Sequence, residues 1–125
     1  MVDFVQIYTE RQRNNKVKKE IARLTGIVGE NDDLAAELIS SAAFLKVGIE
    51  ETEAIMKRDG MIERYKNGNN QWGQKKSAAV EVHDKFMKNY MAVIREIAEI
   101  RSGGDLNEQD EFMKILSANA EKRTN

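Results

Sequence analysis

The chain has 125 residues, with no cysteine, no proline and a formal net charge of −1. These features exclude disulfides, thiolate catalysis and cysteine-ligated metals, and they restrict any nucleic-acid surface to a local patch. With abundant helix-forming residues, the chain is expected to be a single all-α domain. No run approaches the roughly 20 apolar residues that span a bilayer, and the first residues do not resemble a secretion signal. We therefore expect a soluble protein of the cytoplasm that contacts no membrane.

Residues 2–24 are predicted to form a first helix with a strongly basic middle. Between residues 10 and 23, six bases stand against only two acids. Such a patch is either a solvated helix face or a surface that contacts phosphates, and phosphate contacts dominate non-specific nucleic-acid affinity. The candidate DNA-binding residues of this patch are Arg11, Arg13, Lys16, Lys18, Lys19 and Arg23.

A second helix is predicted from an Asn31 cap to about residue 58, with Gly60 as its stop. At 1.5 Å per residue it is about 40 Å long, so it overhangs any compact globule of this size. Gly48 inside this helix costs about 1 kcal/mol relative to alanine unless another group approaches closely there.

A third helix is predicted to begin at a Ser77 cap and to end at the Ser-Gly-Gly of residues 102–104. The two long helices are expected to fold back on each other as an antiparallel hairpin over residues 31–102. Because both present more apolar surface than one hairpin can cover, we expect a homo-oligomer, with a ring as the natural form. The candidate oligomerisation residues, which lie on the two apolar stripes, are Leu38, Leu45, Ile49, Phe86, Tyr90 and Ile97.

Residues 60–77 connect the two long helices and carry the pattern of neither. A short extended piece is expected at residues 61–65, before a polar tip in which Gly68 and Gly73 permit unusual backbone angles. Trp72, the only tryptophan, either covers the helix ends or offers a flat surface for stacking on a base or a partner. Further DNA-binding candidates in this tip are Lys66, Lys75 and Lys76.

The C-terminal segment, residues 103–125, is acidic, whereas residues 1–30 form the basic N-terminal segment. A short amphipathic helix is predicted over residues 105–116, with a polar, mobile tail after it. This helix either docks into a groove on a partner or folds back over the hairpin's own apolar stripe. The candidate partner-binding residues are Leu106, Phe112, Ile115 and Leu116.

The sequence carries no constellation typical of an enzyme. His83 is the sole histidine, and its place on the apolar stripe favours a packing role over a catalytic one. No histidine–aspartate pair is placed to activate a serine as a nucleophile, and the sequence has no Gly-rich phosphate-binding loop. We therefore expect no catalytic residues, no metal site and no cofactor.

Residues 42–97 contain a specific succession of motifs. A helix with AAF-L and an acidic second half precedes the loop G-x-x-x-x-Y-x-N-G-x-N-Q-W-G-x-K-K-S, and a helix with K-N-Y and several isoleucines and valines follows. This succession resembles the small subunits of tailed-phage terminases. The acidic, aromatic end of the chain, with Asp110, Glu111 and Phe112, fits the same family.

The resemblance implies a non-catalytic DNA-packaging component that assembles into a ring in the host cytoplasm. Such a protein binds double-stranded viral DNA and regulates the large subunit, which hydrolyses ATP and cuts DNA. No helix-turn-helix pattern stands out near the N-terminus, so the DNA-binding candidates follow from charge alone. The alternative is an oligomeric helical adaptor or assembly chaperone that binds only protein and has negligible affinity for DNA at physiological salt.

Overall fold

A computed structural model describes residues 7–29, 33–66, 68 and 71–122, the last six as backbone only. These residues form four helices and one two-stranded sheet. The mostly helical fold is confirmed, but the expectation of an all-α chain is corrected by the sheet, which lies between the two long helices. In chain order the elements are α1 Glu10–Val28, α2 Asp33–Asp59, β1 Ile62–Lys66, β2 Trp72–Lys76, α3 Ala78–Ser102 and α4 Leu106–Lys122.

The first helix begins and ends later than residues 2–24. The Thr9 hydroxyl accepts a hydrogen bond from the Gln12 backbone N–H, and the Gln12 side chain accepts one from the Thr9 backbone N–H. This reciprocal capping box sets the helix start more strongly than the apolar pattern does. The helix ends at Gly29, whose φ of 84° favours glycine. The prediction is therefore wrong at both ends, while residues 2–6 lie outside the described residues.

The predicted ends of the two long helices agree with the structure to within a residue or two. The second helix ends at Asp59, and Gly60 follows with a φ of 91°. The third helix is capped by Ser77, whose hydroxyl accepts from the Val80 backbone N–H at 3.3 Å. The predicted cap Asn31 lies outside the described residues.

Gly48 marks a close approach between α2 and α3, which run antiparallel. A Cβ atom placed on Gly48 would lie 2.7 Å from a ring carbon of Phe86. The ring therefore occupies the space that a side chain would need, which explains a glycine inside a long helix. The buried core around this seam consists of Leu24, Val28, Ile39, Ala42, Ile49, Tyr90, Ile94, Ile97 and Leu116.

The C-terminal helix is longer than predicted and packs on α3. Leu116 is fully buried in the core, and its carbonyl accepts a hydrogen bond from the Arg23 guanidinium at 3.0 Å. Residues 117–122 continue the helix where the sequence predicts a mobile tail, because alanine, glutamate and lysine favour helix without needing burial. The rest of that predicted tail, residues 123–125, lies outside the described residues.

The two outer helices, α1 and α4, lie on one side of the α2–α3 pair. α1 packs on α2, α4 packs on α3, and a hydrogen bond joins the outer helices. Within the described residues no helix covers the other side of the seam, where the Gly48–Phe86 contact lies. We call this side the uncovered face. Its exposed apolar residues, each between 40 and 57% exposed, are Leu34, Phe44, Val82 and Ile100.

We predict that Gly48→Ala destabilises the protein by about 1 kcal/mol. The gain in helix propensity, about 1 kcal/mol, is outweighed by overpacking against the Phe86 ring, which typically costs about 1–3 kcal/mol. Gly26→Ala is the matched control, because Gly26 is also helical but a Cβ atom there would have nothing within 4 Å. Denaturant unfolding should show the control stabilised and Gly48→Ala weakened. A more stable Gly48→Ala variant would contradict the close packing.

Candidate nucleic-acid interface

Strands β1 and β2 form an antiparallel ribbon whose residues are all exposed except the half-buried Gly73. The strands pair Ile62 with Lys76 at the base and Lys66 with Trp72 at the tip. Side chains alternate between the two faces of such a ribbon. One face, called here the basic face, carries Ile62, Arg64, Lys66, Trp72, Gln74 and Lys76.

Trp72 stands among cations on the basic face. Its side chain is 59% exposed, and the guanidinium carbon of Arg64 lies 4.9 Å from the centre of its ring. Lys66 is directly opposite it in the strand register. Lys76 lies 3.8 Å from the Asp84 carboxylate, but both groups are exposed, so this pair is weak. The face therefore combines a flat aromatic surface with cations on both strands.

The opposite face of the ribbon is packed more closely. Tyr65 lies across Gly73, since a Cβ atom there would be 2.6 Å from the Tyr65 ring. The Lys75 ammonium stands 5.8 Å from the centre of the same ring. Gly73 is thus required for close approach and not for an unusual φ, whereas Gly68 does have a positive φ of 81°.

Two hydrogen bonds fix the ribbon to α3. The Ser77 backbone N–H donates to the Met61 carbonyl at 2.8 Å, which closes the base of the ribbon. A carboxylate oxygen of Glu63 accepts from the Ala78 backbone N–H at 3.0 Å, at the positive end of the helix dipole. A two-stranded ribbon is marginal alone, and these contacts orient it at the end of the bundle.

Arg13 of the basic N-terminal patch is committed to an internal ion pair. Its guanidinium donates to both carboxylate oxygens of Glu51 at 2.9 Å and to the Tyr8 carbonyl at 3.2 Å. The same carboxylate accepts from the backbone N–H groups of Ile7 and Tyr8. These charge-assisted bonds hold the start of α1 on α2. Arg13 is therefore an internal contact, where the sequence suggested a phosphate-binding residue.

Arg23 is also used inside the molecule. It donates to the Glu20 carboxylate and to the Leu116 carbonyl, and the bond to Glu20 raises the pKa of its guanidinium. Glu20 is only 4% exposed, so the pair compensates a buried charge and links α1 to α4. Sequence spacing alone could have suggested the Glu20–Arg23 pair, but it could not show that the pair is buried.

The other cations of α1 lie at the surface. Lys16 stands 4.7 Å above the Tyr8 ring. With Tyr8, Gln12, Asn15 and Lys19 it lines an open groove of about 420 Å³. The exposed cations of the patch are Arg11, Lys18 and Lys19.

Carboxylates from α2 stand beside the start of α1. Burial raises the pKa of the Tyr8 hydroxyl, and the negative charges of Glu50, Glu51 and Glu53 raise it further. This acidic surrounding weakens the attraction of the α1 groove for phosphate. The cations at the tip of the ribbon have only Glu63 as an acidic neighbour within the strands.

The proposed oligomerisation residues mostly face the interior of the single chain. Ile49, Tyr90 and Ile97 are buried in the core, and the half-buried ones that pack against it are Leu38, Leu45 and Phe86. These residues are apolar, as the spacing indicates, but within one chain they pack between α2 and α3.

The proposed partner-binding residues do not share one exposed stripe. Leu116 is buried, and Phe112 is half-buried beneath the Arg101 guanidinium, 5.6 Å from the ring centre. Leu106 and Ile115 are 73% and 55% exposed, but their spacing places them on opposite sides of the helix. Of the two roles left open for this helix, folding back on the chain is the one seen here.

His83 links α2 to α3 near the ribbon. Its Nε2 lies 3.1 Å from a Glu53 carboxylate oxygen, and its Nδ1 lies 3.9 Å from Asp84.

Over the part of the chain that the structure describes, no group of three or more histidine, cysteine, aspartate or glutamate side chains is placed to hold a metal ion. No helix in that part is long and apolar enough to cross a membrane.

Comparison with known proteins adds no relative to this picture. No family model, curated protein or solved structure matches the chain. The resemblance to terminase small subunits expected from the motifs of residues 42–97 therefore gains no support from these comparisons.

Tyr90 gives the core a pH dependence that can be measured. Within the described residues its hydroxyl has no hydrogen bond of normal geometry, although the Arg23 guanidinium lies close enough to interact with it. Burial raises its pKa to about 12, the charge of Glu20 adds to the rise, and Arg23 opposes it. Because the folded-state pKa lies above the unfolded value near 10, ionisation of this group does not affect stability below pH 10 and lowers it between pH 10 and 12, where the unfolded state loses the proton first.

We predict that Tyr90→Phe leaves stability at pH 7 unchanged or raises it by about 1 kcal/mol, because a buried hydroxyl without a hydrogen bond of normal geometry is costly. Between pH 10 and 11 the variant should lose less stability than the parent chain. Denaturant unfolding across this range measures both effects, with the exposed Tyr65→Phe as control. A loss above 1 kcal/mol at pH 7 would mean that the hydroxyl is hydrogen-bonded.

Proposed function

We propose that this chain is the non-catalytic small subunit of a phage terminase. In this role it forms an oligomer, binds double-stranded viral DNA and regulates the large motor and nuclease subunit during genome packaging. One observation carries the proposal: the segment most like terminase small subunits, residues 60–77, contains the two strands of the exposed ribbon with its basic face. A connector serving only to join two helices has no need of cations and an exposed tryptophan.

The ribbon suits DNA better than the α1 surface does. The major groove of DNA is about 12 Å wide and admits a two-stranded β-ribbon, as it admits a helix. The ribbon carries four cations and one acid, and it projects from the bundle end. On α1, by contrast, Arg13 and Arg23 are held in ion pairs.

We predict that the pair Lys66→Ala and Lys76→Ala, both on the basic face, weakens duplex binding at least tenfold at low salt. If each lysine contacts one phosphate, the slope of log affinity against log salt should fall by about 2. The pair Lys18→Ala and Lys19→Ala, with the same charge change, is the control. Electrophoretic shifts of one duplex across a salt series measure all three proteins. A larger effect of the control pair would place the DNA on α1.

The uncovered face supports the oligomeric part of the proposal. Apolar side chains along both long helices are exposed there in one chain, and exposed apolar surface is what a contact between protein chains would bury. A second copy is the partner that the proposal names, since it is present wherever the first is. If the rotation between neighbouring copies closes on itself, the copies form a ring with a fixed number of subunits.

We predict that Phe44→Glu converts the oligomer into a folded monomer. Phe44 is 57% exposed in one chain, so a charge there is tolerated by the fold but not by a dry interface. Asn107→Glu, at an exposed site on α4, should keep the parental mass. Light scattering with circular dichroism separates loss of assembly from loss of folding. A parent chain that is already monomeric at micromolar concentration would refute the oligomer.

The second candidate, an oligomeric helical adaptor or assembly chaperone that binds only protein, also has an observation in its favour. At the base of the ribbon, Met61 and Ile62 are 63% and 66% exposed, as is typical of a protein contact. The two candidates differ in one measurement. If no nucleic acid shifts at low salt while the oligomer persists, the adaptor is correct.

A further inference from the structure

We infer that the basic face of the ribbon binds unpaired bases, with Trp72 as a stacking platform and Arg64 and Lys66 as phosphate contacts. The ligand class is single-stranded DNA, or duplex DNA that is locally opened. This inference deepens the proposed function and depends on its DNA-binding part.

The argument begins with the surroundings of Trp72. Its ring is 59% exposed, although an indole is among the side chains that gain most from burial. The Arg64 guanidinium contacts this ring, 4.9 Å from its centre. A planar guanidinium supports the indole and leaves ring surface open to a second flat group.

The strand register then supplies the phosphate contacts. Lys66 is the direct cross-strand neighbour of Trp72, and Arg64 is its diagonal neighbour. Directly opposite residues have Cβ atoms about 5 Å apart, so an aromatic ring and two cations share one small surface. Single-stranded nucleic acids are bound by this combination, in which bases stack on aromatic rings while cations follow the backbone.

The geometry also predicts a preference between nucleic acids. In an intact duplex the base faces are stacked on each other and only their edges are open, so Trp72 cannot stack and the cations alone contribute. With an unpaired base both contributions act, and one stacked base improves affinity by roughly 5- to 150-fold. The α1 groove lacks this combination, because its Tyr8 ring is half-buried and covered by Lys16.

The only tryptophan of the chain reports directly on this site. We would titrate the 125-residue chain at low salt with a 12-nucleotide oligo(dT), a 12-base-pair duplex and inorganic polyphosphate, while recording tryptophan emission. The expected result is strong quenching by oligo(dT), with a Kd at least fivefold lower than for the duplex. Polyphosphate should bind without comparable quenching, because it offers charge but no bases.

Variants then separate stacking from charge. Trp72→Leu should abolish the preference for oligo(dT), measured by anisotropy of labelled DNA, and leave duplex affinity within about twofold. Trp72→Phe should restore part of the preference. Tyr65→Phe, which alters an aromatic residue on the opposite face of the ribbon, should leave it intact, and circular dichroism verifies folding.

The outcomes distinguish the inference from the proposed function. Equal affinity for oligo(dT) and duplex, or equal loss of both in Trp72→Leu, overturns the stacking role while DNA binding stands. No binding of either DNA at low salt overturns both and favours a protein partner for the ribbon.

Discussion

The antiparallel packing of α2 against α3 is the constraint on which the rest of the molecule depends. The two helices have 27 and 25 residues, so each is about 40 Å long, and their connection must lie at one end. The Gly48–Phe86 contact brings the axes close together. The outer helices then need only cover one side of this pair, and the ribbon at its end receives no cover from them.

Charge pairing decides which of the basic residues remain at the surface. Glu20 and Glu51 are too buried to be left without a partner, and Arg23 and Arg13 supply it. Arg13 and Arg23, with their forked guanidinium groups, thus form internal contacts, while Arg11, Lys18 and Lys19 of the same helix are exposed. A guanidinium suits a buried carboxylate better than an ammonium does, because it can donate two parallel hydrogen bonds to the two carboxylate oxygens.

Much of the fold was predictable, because it depends on local chemistry. The Ser77 cap and the Gly60 stop depend on interactions within a few residues, and the apolar stripes follow from helical spacing. The structure contains all three. The second strand was missed because WGQKK has no apolar alternation; its pairing depends on β1 and on the Gly73 contact with Tyr65. For the candidate site, the lysines of the tip were predictable from charge, but charge could not separate Arg13 from Lys19. That difference is set by contacts with α2, which lie far away in sequence.

The arrangement of the ribbon and the uncovered face has a consequence for assembly. Hydrogen bonds from Ser77 and Ala78 fix the ribbon to the start of α3, so its direction follows the long helices. In a ring built through the uncovered face, cyclic symmetry would place every ribbon on the same rim. Each ribbon offers few phosphate contacts, and a single one would bind weakly. Several on one rim act on one DNA molecule at a high effective concentration. If the chain has the proposed function, tight DNA binding would then require the assembled ring, and oligomerisation through the uncovered face would be a condition for DNA binding by the basic face.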